Sequence, residues 1–101
     1  MTIMIGNYSF EGSFTDAASL KNQSGVYAVL GRNGQADRWS VLDIGESAKV
    51  RDRVENHDRG DSWRRQGFAA LAVAGHYCDA NSRTRIESEL RTQYNPPCGE
   101  R

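Results

Sequence analysis

Three residues with side chains suited to phosphate chemistry recur at four-residue spacing in the middle of the chain. They are Lys49, Arg53 and His57, and at about 3.6 residues per turn they form one stripe along a helix. Arginine offers a phosphate a planar, permanently charged fork, and histidine exchanges protons near neutral pH. Most such stripes are solvated helix faces, and the spacing alone leaves that interpretation open.

A carboxylate further along the chain, Glu87, is suited to a hard divalent metal ion. Mg²⁺ prefers oxygen ligands, keeps most of its waters and takes few ligands from the protein. The other interpretation is an ordinary glutamate on a helix surface. Residue type alone does not separate Glu87 from Glu89.

The elements that would position these side chains begin with a predicted β-hairpin. Residues 25–30 (GVYAVL) and 39–44 (WSVLDI) are apolar and carry β-branched residues, as strands do. Asn33-Gly34 lies between them and is the strongest short signal for a hairpin. Gly45 ends the second strand.

The polar stripe lies on a helix predicted over residues 48–57. Ser47 can cap its start, and Gly60 is expected to stop it. Val50 and Val54 are four residues apart and face the core, so the stripe occupies an adjacent face.

A third strand and a second helix follow. Residues 68–77 (FAALAVAGHY) are apolar enough for a strand that is buried on both sides. Residues 83–94 have the spacing of a helix, with Ile86 and Leu90 toward the core, and Pro96-Pro97 ends it.

This order of elements predicts an α/β (α+β) fold. The strands and helices mix without a repeated β-α-β pattern, so we expect a small three-stranded antiparallel central sheet flanked by helices. Residues 1–101 have the length of one domain, with residues 24–99 as its core and residues 1–23 as an N-terminal extension. In that extension, residues 3–14 fit a strand or short hairpin, and residues 15–20 fit a helical turn.

Short motifs follow one another in a defined order through residues 24–99. They are Gly25-Val26-Tyr27, Asp43-Ile44-Gly45, Arg53, Ile86-Glu87-Ser88-Glu89-Leu90 and Pro96-Pro97-Cys98-Gly99. Arg53 lies eight residues after Gly45, and Pro96 lies nine residues after Glu87. In order, spacing and predicted structure, the chain resembles the GIY-YIG nuclease family. The spacing to Pro96 favours Glu87 over Glu89.

Two positions depart from the pattern of that family. Asp43 stands where the second tyrosine usually lies, so a phenol is replaced by a carboxylate near the expected metal, and Asp43 is a possible site residue. Gly99 stands where the family carries an asparagine that helps to organise the site. Tyr27, Arg53 and Glu87 match the family pattern.

The resemblance implies a Mg²⁺-dependent (or Mn²⁺-dependent) endonuclease that hydrolyses phosphodiester bonds in DNA. Tyr27 would be the general base, once the metal and an arginine lower its pKa from about 10. Glu87 would hold the metal, and His57 would orient the water or relay a proton. The catalytic candidates are Tyr27, Arg53 and Glu87, which match the family pattern, and His57, which lies four residues after Arg53. Lys49 and Arg51 are candidates for binding DNA phosphates.

A catalytically weakened nucleic-acid-binding or interaction module that retains the nuclease fold is the alternative. Asp43, Gly99 and the charge balance favour it, since thirteen basic residues equal thirteen acidic ones and the net charge is zero. Proteins that coat nucleic acid through bulk charge carry a basic excess. Besides DNA, a protein partner or a homodimer remains open.

The cysteines and the first residues indicate the cellular compartment that we expect for the chain. Cys78 and Cys98 are far apart and form no CxxC motif, so we expect two free thiols in a reducing cytoplasm. The first residues lack the pattern of a signal peptide. No stretch has the apolar length of a membrane span, and no membrane partner is expected.

Overall fold

All five strands of the computed structural model, which describes residues 1–57 and 59–99, belong to one antiparallel sheet. Their order across the sheet is β1-β2-β5-β3-β4. The strands are β1 (Thr2–Ile5), β2 (Tyr8–Phe14), β3 (Gly25–Arg32), β4 (Ser40–Ser47) and β5 (Ala70–Tyr77). The α-helices are α1 (Val50–Glu55), α2 (Gly60–Arg65) and α3 (Ala80–Tyr94), and Ala17–Ser19 form a 3-10 turn.

The prediction of a three-stranded sheet was wrong, because residues 1–23 add two strands to the sheet. β1 pairs with β2, and β2 pairs with β5. Ile5 and Phe10 from this hairpin are buried in the same core as residues of the other strands. A two-stranded hairpin is marginal by itself in water, and pairing with β5 provides the missing partner.

The β3–β4 hairpin lies at one side of this sheet, and β3 is buried almost throughout. On one face, Val26 and Ala28 pack with Ile86 of α3. On the other face, Tyr27 packs with residues of α1 and α2. The hairpin was predicted, and its connection spans residues 33–39, where the Gly34 N–H donates to Asp37 Oδ2.

A buried aspartate of β4, Asp43, lies on the Tyr27 side of the sheet beside a β-bulge. Val29 pairs with Asp43, whereas Leu30 pairs with Val41, so Leu42 is an extra residue in the ladder. Leu42 belongs to the core on the Tyr27 side. A bulge breaks the alternation of a strand and re-aims its side chains, and here it brings Leu42 onto the same side as Asp43.

The helices agree in part with the sequence. α1 is shorter than residues 48–57, and Gly60, expected only to stop that helix, begins α2. α3 starts at Ala80 because the side chain of Asp79 accepts the Ser82 N–H and caps it.

Over the described residues, none of the helices has the length and apolar character to cross a membrane.

The segment after α3 folds back onto β4. The Cys98 N–H donates to the Leu42 carbonyl at 2.9 Å, and Cys98 is buried among residues of the Tyr27 side. Cys78 is half-buried at the end of β5, and both thiols are free. This segment therefore covers part of the edge strand β4.

Candidate active site

Tyr27 and His57, predicted as site residues from distant parts of the chain, are in direct contact. Tyr27 Oη lies 2.6 Å from His57 Nε2. Tyr27 is paired with Gly45 across the β3–β4 ladder. A Cβ on Gly45 would overlap the Tyr27 hydroxyl, so the phenol requires a glycine at this position.

The second ring nitrogen of His57 defines the direction of that hydrogen bond. Nδ1 accepts the backbone N–H of Arg59 at 2.9 Å, so a neutral imidazole carries its proton on Nε2. Nε2–H then donates to Tyr27 Oη. A donor of this kind favours the phenolate over the phenol. The ring is also held against Trp63, with 4.7 Å between ring centroids.

The pKa of Tyr27 is raised to about 12. Burial is the largest cause, and the negative charge of Asp43 acts in the same direction. The positive charges of Arg59, Arg53 and Arg91 oppose both. Tyr27 is therefore a neutral phenol at pH 7, and a role as general base requires further positive charge close to its oxygen.

Asp43 is fully buried and accepts hydrogen bonds from three residues. Its Oδ2 accepts from Arg59 Nε at 2.9 Å and from Trp63 Nε1 at 2.7 Å. Its Oδ1 accepts from Arg91 Nη2 at 2.5 Å. A buried carboxylate is tolerated when its oxygens are paired in this way. We therefore interpret Asp43 as an anchor for two arginines, since metal ligation would break these bonds.

Glu87 is joined to Asp43 through one arginine. Arg91 lies four residues after Glu87 on α3, and its Nε donates to Glu87 Oε2 at 3.1 Å. The core residues of α3, such as Ile86, pack on the face opposite Tyr27. Glu87 is nevertheless linked to the edge strand β4, because Arg91 donates to both Glu87 and Asp43.

Glu87 is the residue that the resemblance assigns to the metal. Among the described residues, no group of three or more His, Cys, Asp and Glu side chains is placed to hold a metal ion. The side chain of Glu87 is 18% exposed, so solvent reaches it. One such carboxylate fits Mg²⁺ bound largely through water.

The basic residues on and beside the predicted stripe differ in their exposure and in their contacts. Arg53, half-buried on α1, lowers the pKa of Tyr27 by its charge and so lies on the site side. Lys49 is exposed at the start of α1. Arg51 pairs with Glu55 at 4.0 Å, with both side chains 41% exposed. DNA contacts by Lys49 and Arg51 stay predictions.

Arg59, Trp63 and Arg91 belong to the site but were not predicted. The spacing of Glu87 and Arg91 is that of an ion pair on one helix face, and this signal was present in the sequence. No spacing in the sequence identifies Arg59 and Trp63, because their common partner Asp43 lies on a strand that is distant along the chain.

Gly99, the second departure from the family pattern, also contacts this cluster. Its carbonyl accepts from Arg91 Nη1 at 2.9 Å, and its φ of 77° is in the left-handed region. A Cβ at this position would lie 2.5 Å from Arg91 Nη2 and 2.8 Å from Arg59 Nε. An asparagine here would therefore displace arginines that Asp43 holds in place.

Comparison with protein-family models, curated proteins and solved structures finds no match to this chain. The GIY-YIG resemblance therefore remains a hypothesis based on the motifs of residues 24–99. Over residues 1–57 and 59–99, the chain is a small α+β fold with a five-stranded antiparallel sheet and three α-helices.

Proposed function

We propose that this protein is a divalent-metal-dependent endonuclease that hydrolyses DNA phosphodiester bonds in the manner of GIY-YIG nucleases. The observation that carries the proposal is the 2.6 Å contact between Tyr27 Oη and His57 Nε2 beside three arginines. Phosphodiester hydrolysis needs a proton acceptor for the attacking water and positive charge around the phosphorus. These residues combine both on one side of the sheet.

Each residue of the group has a separate task in this proposal. Arg53 binds the phosphate and stabilises the charge that develops on its oxygens. His57 donates Nε2–H to Tyr27 and so makes the phenolate, which accepts a proton from water, easier to form. Glu87 would hold Mg²⁺, which supplies a Lewis acid for the phosphate and the leaving oxygen when bound.

A catalytically weakened nucleic-acid-binding or interaction module is the second candidate. The burial of Tyr27 favours it, because this residue is 1% exposed and its pKa is about 12. A protein of this kind would bind DNA, or a protein partner or second copy, without cleaving DNA. The two candidates differ in one measurable property, the appearance of nicked DNA.

Nicking of supercoiled and branched DNA with Mg²⁺ or Mn²⁺ tests the proposal. Glu87→Ala is expected to abolish nicking. Glu89→Ala is the matched control, since Glu89 lies on the same helix and its carboxylate accepts from Tyr8 Oη at 2.8 Å; it is expected to nick like the wild type. DNA binding without nicking by the wild type would favour the second candidate, and equal activity of the two variants would contradict the assignment of Glu87.

A further inference from the structure

The guanidinium of Arg91 is buried and joins three separate segments. Its side chain is 6% exposed. Nε donates to Glu87 at 3.1 Å, Nη2 donates to Asp43 at 2.5 Å and Nη1 donates to the Gly99 carbonyl at 2.9 Å. The planar fork of an arginine sets the angles among these partners. The orientation of Glu87 on α3 is thereby tied to β4 and to the segment after α3.

Packing alone does not account for a buried arginine at this position. α3 already packs on the sheet through Ile86 and Leu90, which are 3% and 0% exposed. Removing two charges from water costs free energy that their attraction only partly returns, and apolar residues of similar volume often stabilise a fold as well. The network around Arg91 is therefore better explained by the geometry it imposes than by stability.

We propose that Arg91 is a positioning residue for Glu87, with Asp43 fixing the orientation of Arg91. Nε holds one carboxylate oxygen of Glu87, so the position of that oxygen relative to β4 is defined. A ligand held by such a partner binds metal better than one that rotates, and loss of the partner typically costs about 10- to 100-fold in metal affinity or activity. This inference rests on the proposed function.

Arg91→Lys tests the proposal, because lysine keeps the charge and loses the fork. The matched control is Arg83→Lys on the same helix. Arg83 also joins α3 to β4, with Nε 3.1 Å from Glu46 Oε1 and Nη1 2.8 Å from Ser24 Oγ, and its side chain is 21% exposed. Both variants lose an arginine fork, and the first alters the side chain that donates to Glu87, whereas the second alters one that donates to Glu46 and Ser24.

The measurements are kcat and KM for nicking, calorimetric titration with Mn²⁺ and the thermal midpoint of unfolding. Arg91→Lys is expected to lower kcat and Mn²⁺ affinity by about 10-fold or more while KM for DNA stays unchanged. Arg83→Lys is expected to keep kcat and Mn²⁺ affinity, whatever its thermal midpoint. Wild-type kcat and Mn²⁺ affinity in Arg91→Lys would overturn the proposal.

A second variant covers the case in which Arg91→Lys does not fold. Asp43→Asn combined with Arg91→Gln removes both charges together and keeps amide hydrogen-bonding groups, so no unpaired charge from this pair is left buried. It is expected to show the same loss of kcat and Mn²⁺ affinity, and wild-type values would overturn the proposal.

Failure of the positioning role is distinguishable from failure of the proposed function. If the wild type nicks DNA and Glu87→Ala does not, wild-type behaviour of Arg91→Lys rejects the positioning role alone. A wild type that neither nicks DNA nor binds Mn²⁺ rejects the endonuclease and the positioning role together.

Discussion

Tyr27 experiences opposing electrostatic influences at a single oxygen atom. Its burial and the carboxylate of Asp43 favour the neutral phenol, whereas three arginines favour the phenolate. The neutral form prevails, since the pKa is about 12. The hydrogen bond that His57 donates to the Tyr27 oxygen favours the phenolate. The amount of phenolate, and with it any catalysis by Tyr27, must therefore depend strongly on pH.

The pH dependence of cleavage is the prediction at the scale of the residue. Only the phenolate accepts a proton, and its fraction rises about tenfold per pH unit as long as the pH is below the pKa of Tyr27, which is about 12 before a metal adds its charge. We expect kcat/KM for nicking to rise with the same slope. Tyr27→Phe should remove the activity.

Tyr77→Phe is the control for that experiment. Tyr77 lies on the adjacent strand β5 and its pKa is also raised, with burial as the main cause. Its oxygen accepts the backbone N–H of Lys21, whereas the histidine His57 contacts Tyr27. This variant should keep the wild-type profile. A flat profile in the wild type, or activity retained in Tyr27→Phe, would contradict Tyr27 as the base.

At the scale of the elements, the close approach of β3 and β4 holds the site together. Tyr27 lies over Gly45, Asp43 lies two residues before Gly45 on the same side, and the bulge adds Leu42 to that side. The hairpin could be predicted because two apolar segments flank Asn33-Gly34. The bulge could not, since one extra residue in a ladder leaves no periodic signal in a single strand.

The helices illustrate the same difference. α3 was predicted because Ile86 and Leu90 recur at helical spacing. α2 was not, since Trp63 is its only large apolar residue and a single residue has no period. Trp63 is buried by tertiary contacts, since it packs in the core on the Tyr27 side, lies beside His57 and donates to Asp43.

Gly45→Ala is the prediction at this scale. The new methyl group would overlap the phenol of Tyr27, so the ring must move and its bond to His57 is lost. Overpacking of this kind costs about 1–3 kcal/mol of the free energy of unfolding, measurable by urea denaturation. Nicking should fall with it.

Gly34→Ala is the matched control in the loop of the same hairpin. The atoms nearest to a Cβ at Gly34 would belong to Asp37, at ordinary contact distances from 3.4 Å. Its stability and activity should stay close to those of the wild type. Equal stability of both variants would show that Tyr27 does not need the space above Gly45.

At the scale of the whole molecule, the sheet joins segments that are distant in sequence. β2 pairs with β5, so the N-terminal hairpin and the last strand share one core. Residues 3–14 did suggest a hairpin, but a single sequence does not reveal which strand it pairs with. The contact between Asp43 and Arg91 spans 48 positions and was hidden for the same reason. Motif order predicted Tyr27 and Glu87, and the spacing to Arg53 predicted His57, whereas the residues that connect them in the fold lie on segments distant in sequence.

Phe10→Ala tests whether the N-terminal hairpin is an integral part of this core. Phe10 is 0% exposed, in the cluster that contains Ile86 and Leu90 of α3. Truncating a buried phenylalanine costs about 3–5 kcal/mol, a large part of the about 5–15 kcal/mol that stabilises a typical domain. Met4→Ala is the control on the neighbouring strand, since Met4 is 62% exposed, and it should change the free energy of unfolding by no more than about 0.5 kcal/mol. Urea denaturation should show one cooperative transition in each protein, shifted strongly to lower urea only in Phe10→Ala. A loss below about 1 kcal/mol in Phe10→Ala would mean that residues 1–23 are a dispensable extension, because the core would then tolerate a cavity at its N-terminal end.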